Sequence, residues 1–247
     1  MNLRIDPLSH SPMMTLQELL DDSPPLHRVA PHIGTSFQLS DQALRFIDQN
    51  VNNTSNTLET GAGISTVLFA MKEANHTCVV PNADLVTRIR DYCQQRAIPI
   101  ERIDFQIGKS EKILPTLETG ELDLLLIDGQ HAFPTPFIDW YYTADKLRVG
   151  GIVMIDDTQL WTGQVLKKFL LEETEWRLIE EFSARTAIFK KEKATTNEKW
   201  WGQQPYVVRK SRRLIAASEV HQAFRALARG EFGKLIKKVK VKMRNEK

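Results

Sequence analysis

The sequence predicts an α/β fold: a mostly parallel seven-stranded sheet with helices on both faces, closed by a C-terminal antiparallel hairpin. Three observations predict it. From Thr54 onward short apolar runs alternate with amphipathic segments, the pattern of repeated strand-helix-strand units. One run, "LDLLLI", is apolar almost throughout, as expected of a strand covered on both faces, and it should be central. Near the end of the series "WRLIEEF" and "TAIFKK" are only a few residues apart, too close for a crossover between parallel strands, so they pair as a hairpin.

The elements follow in order. Residues 1–53 read as a helical N-terminal extension: "MTLQELLDD", a Pro-broken connector "SPPLHRVAPHIG", and "SDQALRFIDQNV" with Ser40 as its N-cap. Strands are expected at 56–59, 77–80, 103–107, 122–128 and 151–156, with helices over 65–74, 84–96, 110–118 and 135–147 between them. A further helix follows in "LWTGQVLKKFLLEE", where Leu160, Val165, Leu166, Phe169 and Leu170 recur at helical spacing. The hairpin closes a domain over 54–190. Residues 191–247 then read as a connector, "KKEKATTNEKWWGQQP", followed by helices in "SEVHQAFRALARG" and "EFGKLIKKVKVKM".

A chain of 247 residues can bury one sizeable core. Its opening lacks an apolar leader and no run reaches the roughly 18 apolar residues of a membrane span, so a cytoplasmic location is expected. Cys78 and Cys93 match neither a disulfide framework nor metal-ligand spacing. The net charge of +2 hides an asymmetry: Arg229 to Lys247 carries eight basic and two acidic residues, +6, leaving −4 for the rest. Basic character belongs to the tail, which could meet an anionic membrane surface as a peripheral amphipathic helix or simply be solvated. Nucleic acid is not an expected partner, because the body is acidic and the tail lacks interleaved aromatics. Self-association is left open.

In "TLETGAGISTVLFA" a strand ends at Glu59, Gly61 and Gly63 follow, and a helix begins near Ser65. Glycines there let the backbone approach a ligand, and the helix start offers free N–H groups. Dinucleotide binding would want a third glycine where Thr66 stands. The E-x-G-x-G form resembles motif I of class I S-adenosylmethionine-dependent methyltransferases, and the resemblance extends over roughly residues 54–190. It implies a Rossmann-like fold with S-adenosylmethionine as cofactor, held by Glu59, Thr60, Gly61, Ala62, Gly63 and Ser65. It also implies contacts from the residues that follow strands two, three and four. Asn82 stands near the position where the family commonly has an acid for the ribose; as an amide it could bind a hydroxyl or only cap a helix. Lys109 and Ser110 fall on the adenine-side loop, Ser110 also being a candidate N-cap. Asp128 follows strand four.

"LLLIDGQHAFP" and "GGIVMIDD" place Asp128, Asp156 and Asp157 on the same sheet edge as the glycine loop. Gathered carboxylates raise one another's pKa unless a cation or hydrogen bonds intervene, so a divalent ion, Mg²⁺ by its preference for oxygen, is one reading. Helix capping is the other. The set is similar to metal-dependent O-methyltransferases of the catechol and caffeoyl-CoA type, with Asp157 where that group has Asn. It is closer to the bacterial "IDG-x-H" and "GG…DD" branch, which often modifies sugars or natural products and varies in metal use. His131 either accepts the proton of an acceptor hydroxyl, with Asp128 as its catalytic partner, or only hydrogen-bonds within its loop. His27, His32, His76 and His221 have no such placement and read as structural or surface residues. The function implied is O-methylation of a hydroxyl on a sugar, glycan or other small molecule; the alternative is a non-catalytic ligand-binding or scaffold protein with the same fold.

Overall fold

A computed structural model describes residues 14–27, 39–194 and 199–230. Two short helices come first, α1 (Leu16–Asp22) and α2 (Asp41–Asn50), and Ser40 caps α2 as expected, accepting from the Ala43 amide at 3.3 Å. Five strands then alternate with helices: β1 (Asn56–Thr60), α3 (Ile64–Met71), β2 (Asn75–Val80), α4 (Ala83–Gln95), β3 (Ile103–Ile107), α5 (Ser110–Ile113), β4 (Leu122–Ile127), α6 (Thr135–Thr143) and β5 (Leu147–Ile155). The series ends in α7 (Trp161–Leu170), β6 (Trp176–Phe182) and β7 (Thr186–Lys191).

The sheet order is β3-β2-β1-β4-β5-β7-β6, with β4 at its centre. Pairing is parallel from β3 through β5; β7 runs antiparallel to both β5 and β6, so six strands share one direction. This is a Rossmann-like arrangement. The chain starts at β1, works outward to β3, and crosses back to β4, so the crevice at the carboxyl ends of β1 and β4 is where such sheets take ligands.

Alternation along β4 explains its composition. Leu124 and Leu126 enter one core with residues of α1 to α4, while Leu125 and Ile127 enter a second core with residues of α6 and α7. Leu122 joins the second core too, out of phase because the register shifts between Leu122 and Leu124. Both faces are dry, so both sets must be apolar. The N-terminal extension belongs to the first core: Leu16, Leu19, Ala43, Leu44 and Ile47 are buried in it.

Several boundaries differ from expectation. The helix read over 110–118 stops at Ile113 and tightens into a 3₁₀ turn, Leu114–Thr116, because Pro115 has no N–H to continue it. The helix read over 135–147 ends at Thr143, and β5 already begins at Leu147, four residues before the expected start. A register shift accommodates the longer strand: Leu122 faces Leu147 and Leu124 faces Ile152, with Gly150 at φ +86° between them. The buried Lys191 ammonium stabilises this junction by donating to the carbonyls of Ala144 and Leu147.

Contacts divide the chain into two units, 1–197 and 198–247. The second contains one long helix, α8 (Pro205–Ala228), preceded by a 3₁₀ turn at Trp201–Gln203. The helix expected in "EFGKLIKKVKVKM", and the basic tail with it, lies outside the described residues, as do His32 and most of the Pro-broken connector. Among the described residues no helix is long and apolar enough to cross a membrane.

Candidate active site

A cavity of about 340 Å³ opens at the carboxyl edge of the sheet. Its walls come from the glycine loop (Gly61, Ala62), the start of α4 (Asn82), the start of α5 (Lys109, Ser110), the loop after β4 (Asp128 to His131), Asp157 and Arg185. A smaller recess, lined by Gly63 and Ser65, shares His27, Ala62 and Asp128 with it.

Gly61 sets the geometry of the loop. Its φ is +93°, and a Cβ there would stand 2.2 Å from the carbonyl oxygen of Asp128. Only a bare backbone lets the β1 and β4 loops touch, and the Asp128 amide seals them by donating to the Thr60 carbonyl at 3.1 Å. Beneath the loop, Glu59 is buried and does not line either recess. One of its carboxylate oxygens accepts from the Ser65 hydroxyl at 2.7 Å and the other from the Thr66 hydroxyl. Thr66 in turn accepts from the Gly63 amide at 3.0 Å, so the acid organises the turn from below. His76 Nε2 lies 3.2 Å from the same carboxylate, outside hydrogen-bond alignment, while Nδ1 pairs with Thr57 at 2.8 Å and the ring stacks on Phe69. Thr60 is equally buried; its hydroxyl donates to Asp139 at 2.8 Å.

Asn82 does cap α4, accepting from the Leu85 amide at 3.1 Å, and it also lines the cavity. The helix-capping reading holds, with Oδ1 committed to the helix. Lys109 and Ser110 line the wall on the β3 side.

His131 and Asp157 meet across two loops, Nε2 to Oδ2, at 2.8 Å. The Thr162 hydroxyl fastens the same loops by donating to the His131 carbonyl at 2.6 Å. Asp157, in a left-handed conformation at φ +51°, also accepts from Gln159 Nε2 at 2.6 Å and lies 3.2 Å from Arg185 Nε. The His131 hydrogen bond holds the Asp157 carboxyl below the usual carboxylate range. Asp156 points the other way: it is buried, accepts from the Thr186 hydroxyl, and receives Arg185 Nη2 at 3.2 Å. Asp128 is pushed well above the usual range, first by desolvation and then by Asp156 and Asp157.

Of the expected metal trio, then, Asp128 and Asp157 face the cavity and Asp156 does not. Among the described residues, the group at this edge whose ligand atoms lie within 4.8 Å of one another is Asp128, His131 and Asp157. Two further cavity residues, His27 and Arg185, were not legible as such, nor was Asp139, which lies buried behind the wall. His27, read as structural or surface, lines both recesses, its Nε2 3.1 Å from where a Gly63 Cβ would stand, and burial pushes its pKa down. Arg185 reaches the site from the turn between β6 and β7. Asp139 is buried against Thr60 and Gly129, and desolvation pushes its carboxyl up to about 6; in sequence it disappears into the aromatic run of α6.

Comparison with known proteins agrees with this picture. A methyltransferase-domain family model matches residues 58–158. No curated protein matches the chain. Among solved structures, the O-methyltransferase TomG from Streptomyces achromogenes, in complex with SAM, shares 14% identity, with 71% of this chain and 90% of that chain covered and a TM-score of 0.58. Cofactor-bound Rv0187 from MTB shares 18%, covering 72% and 90%, at 0.55. SAH-bound PaMTH1 from Podospora anserina shares 17%, covering 64% and 81%, at 0.51. The family model thus covers the glycine loop and both acidic strand ends, residues 58–158, and the solved structures share the fold beyond it.

Proposed function

We propose that the protein transfers a methyl group from S-adenosylmethionine to a hydroxyl on a sugar, glycan or other small natural product. The observation that carries this reading is the His131–Asp157 pair at 2.8 Å on the wall of the cavity that the glycine loop also lines. A sulfonium already makes its methyl carbon electrophilic, so the protein has to align two reactants and manage one proton.

In this reading the backbone of Gly61 to Gly63 would hold the cofactor from the glycine-loop side. Asn82 would bind a ribose hydroxyl, and Lys109 and Ser110 would hold the base. Asp128, on the same cavity wall, would face the reacting groups. When bound, S-adenosylmethionine would supply the electrophilic methyl carbon, its sulfur leaving as a thioether, and His131 would take the proton of the acceptor hydroxyl. Asp157 holds Nε2–H, which leaves Nδ1 as the basic nitrogen and stabilises the imidazolium that forms. Phe133 and Trp161, both well exposed and with ring centroids 6.4 Å apart, extend from the loop after β4 and the start of α7 and would give an aromatic acceptor or the C–H face of a sugar a surface to stack on.

Mg²⁺, one reading of the acidic edge, fits the arrangement poorly. Both Asp156 oxygens are engaged by Thr186 and Arg185, and both Asp157 oxygens by His131, Gln159 and Arg185. No step is therefore routed through a metal. Calorimetric titration with S-adenosylmethionine, with Mg²⁺ and with EDTA, tests the cofactor reading, and absence of binding in both would end it. Formation of S-adenosylhomocysteine against a panel of hydroxylated acceptors tests the reaction; an acceptor methylated at nitrogen or carbon instead would replace the hydroxyl assignment.

A further inference from the structure

We infer that Arg185 takes the place of a divalent cation at this edge, bridging Asp156 and Asp157 and so keeping Asp157 aimed at His131. The inference rests on the methyltransferase reading for its consequence, but its geometry is independent of any cofactor. Two nitrogens of one guanidinium, Nη2 and Nε, lie 3.2 Å from Asp156 Oδ2 and 3.2 Å from Asp157 Oδ1 respectively. Nη2 donates a hydrogen bond to Asp156, whereas Nε meets Asp157 by charge alone, outside hydrogen-bond alignment; one guanidinium so places a fixed charge against two successive carboxylates.

The scaffold holds the fork in place. Arg185 sits in the tight turn after β6, where its amide donates to the Phe182 carbonyl at 2.8 Å. Its own carbonyl accepts twice from Thr158, from the amide at 2.8 Å and the hydroxyl at 2.9 Å. Thr158 directly follows the two acids, so the arginine backbone is tied to the segment its side chain neutralises. Asp156 spends its two oxygens on Thr186 and the guanidinium, so while Arg185 is present it offers a cation no free ligand atom. An ion bound to His131 Nε2 would also need the lone pair of a nitrogen that is directed at Asp157. A fixed positive charge 3.2 Å from each acid further opposes a divalent ion there.

Arg185 is accordingly a positioning residue, and removing its charge should create the cation site it replaces. The test is Mn²⁺ titration of the full chain, followed by the electron paramagnetic resonance signal of the free ion, for wild type, R185Q, R185K and R185Q/D157N. R185Q should bind Mn²⁺ at least about tenfold more tightly than wild type, because ligand charge sets the affinity of such sites. R185K, which keeps the charge, should not gain this binding, and D157N should remove it from R185Q. Cofactor affinity of the wild type should be the same in EDTA as in Mg²⁺. Wild type that binds Mn²⁺ as tightly as R185Q in a D157N-sensitive manner overturns the inference, and so does an R185Q chain that gains no affinity. Failure of wild type to bind S-adenosylmethionine would reject the functional reading instead and leave the Mn²⁺ comparison to judge Arg185.

Discussion

Replacing Gly61 by alanine puts the contact between the β1 and β4 loops to the test. The new methyl would begin 2.2 Å from the Asp128 carbonyl oxygen and 2.9 Å from its carbon, where ordinary contact starts at 3.4 Å, so the loops must part by more than 1 Å. The left-handed φ of +93° adds a cost of about 1–2 kcal/mol for any L side chain. Parting the loops also loosens the 3.1 Å bond from the Asp128 amide to Thr60, which contributes about 0.5–1.5 kcal/mol. The total is about 2–3 kcal/mol, or a fall in Tm of roughly 5–10 °C for a chain of this size. Cofactor affinity should fall with it, because both loops line the cavity. Gly63→Ala is the internal comparison: its φ is extended and its Cβ would meet only the His27 ring, at 3.1 Å, which can swing aside. That variant should lose less than about 1 kcal/mol. Thermal melts and calorimetry of both variants decide the matter; a Gly61→Ala protein that melts and binds like Gly63→Ala would refute the reasoning.

His131→Ala should lower kcat by roughly 10²–10⁴ while leaving cofactor affinity within a few-fold, as measured by S-adenosylhomocysteine release and calorimetry; unaltered kcat would remove His131 as the base. Glu59→Gln leaves Ser65 or Thr66 facing an amide N–H₂ beneath the glycine loop and should cost about 1–3 kcal/mol in a denaturant melt, with weaker cofactor binding alongside. Asp139 has a folded-state pKa of about 6, raised from 3.8, so its ionisation opposes folding. Its penalty is absent below pH 4, grows as pH rises through 6, and is complete above that, at most about 3 kcal/mol. Asp139→Asn, which can still accept from Thr60, should therefore gain stability relative to wild type only as pH rises from 4 to 7; a pH-independent difference in Tm would contradict the burial argument.

The strands were legible because their periodicity is local. β3, β6 and β7 match their expected limits, and the alternation of β4 between two cores is written in its leucines. Ends fixed by distant groups were not legible: α6 stops early where Lys191, nearly fifty residues on, holds the carbonyls of Ala144 and Leu147. The same limit applies at the site. Asp156 and Asp157 look equivalent in sequence, but successive side chains leave a strand end in different directions, one toward Thr186 and one toward His131. Arg185 and His27 bear no spacing relation to the motifs they adjoin; only the tertiary fold brings them there.

The position of β7 between β5 and β6 makes the order of synthesis matter. The chain must leave β5, run out to what becomes the sheet margin, and return inward before the sheet is complete. Until residues near 191 have been added, β5 presents an unpaired edge, open to other strands. Asp156 meanwhile lacks both Thr186 and Arg185. The charged corner is therefore the last part of the site that synthesis can complete, since Arg185 follows every other residue of the cavity wall in the chain.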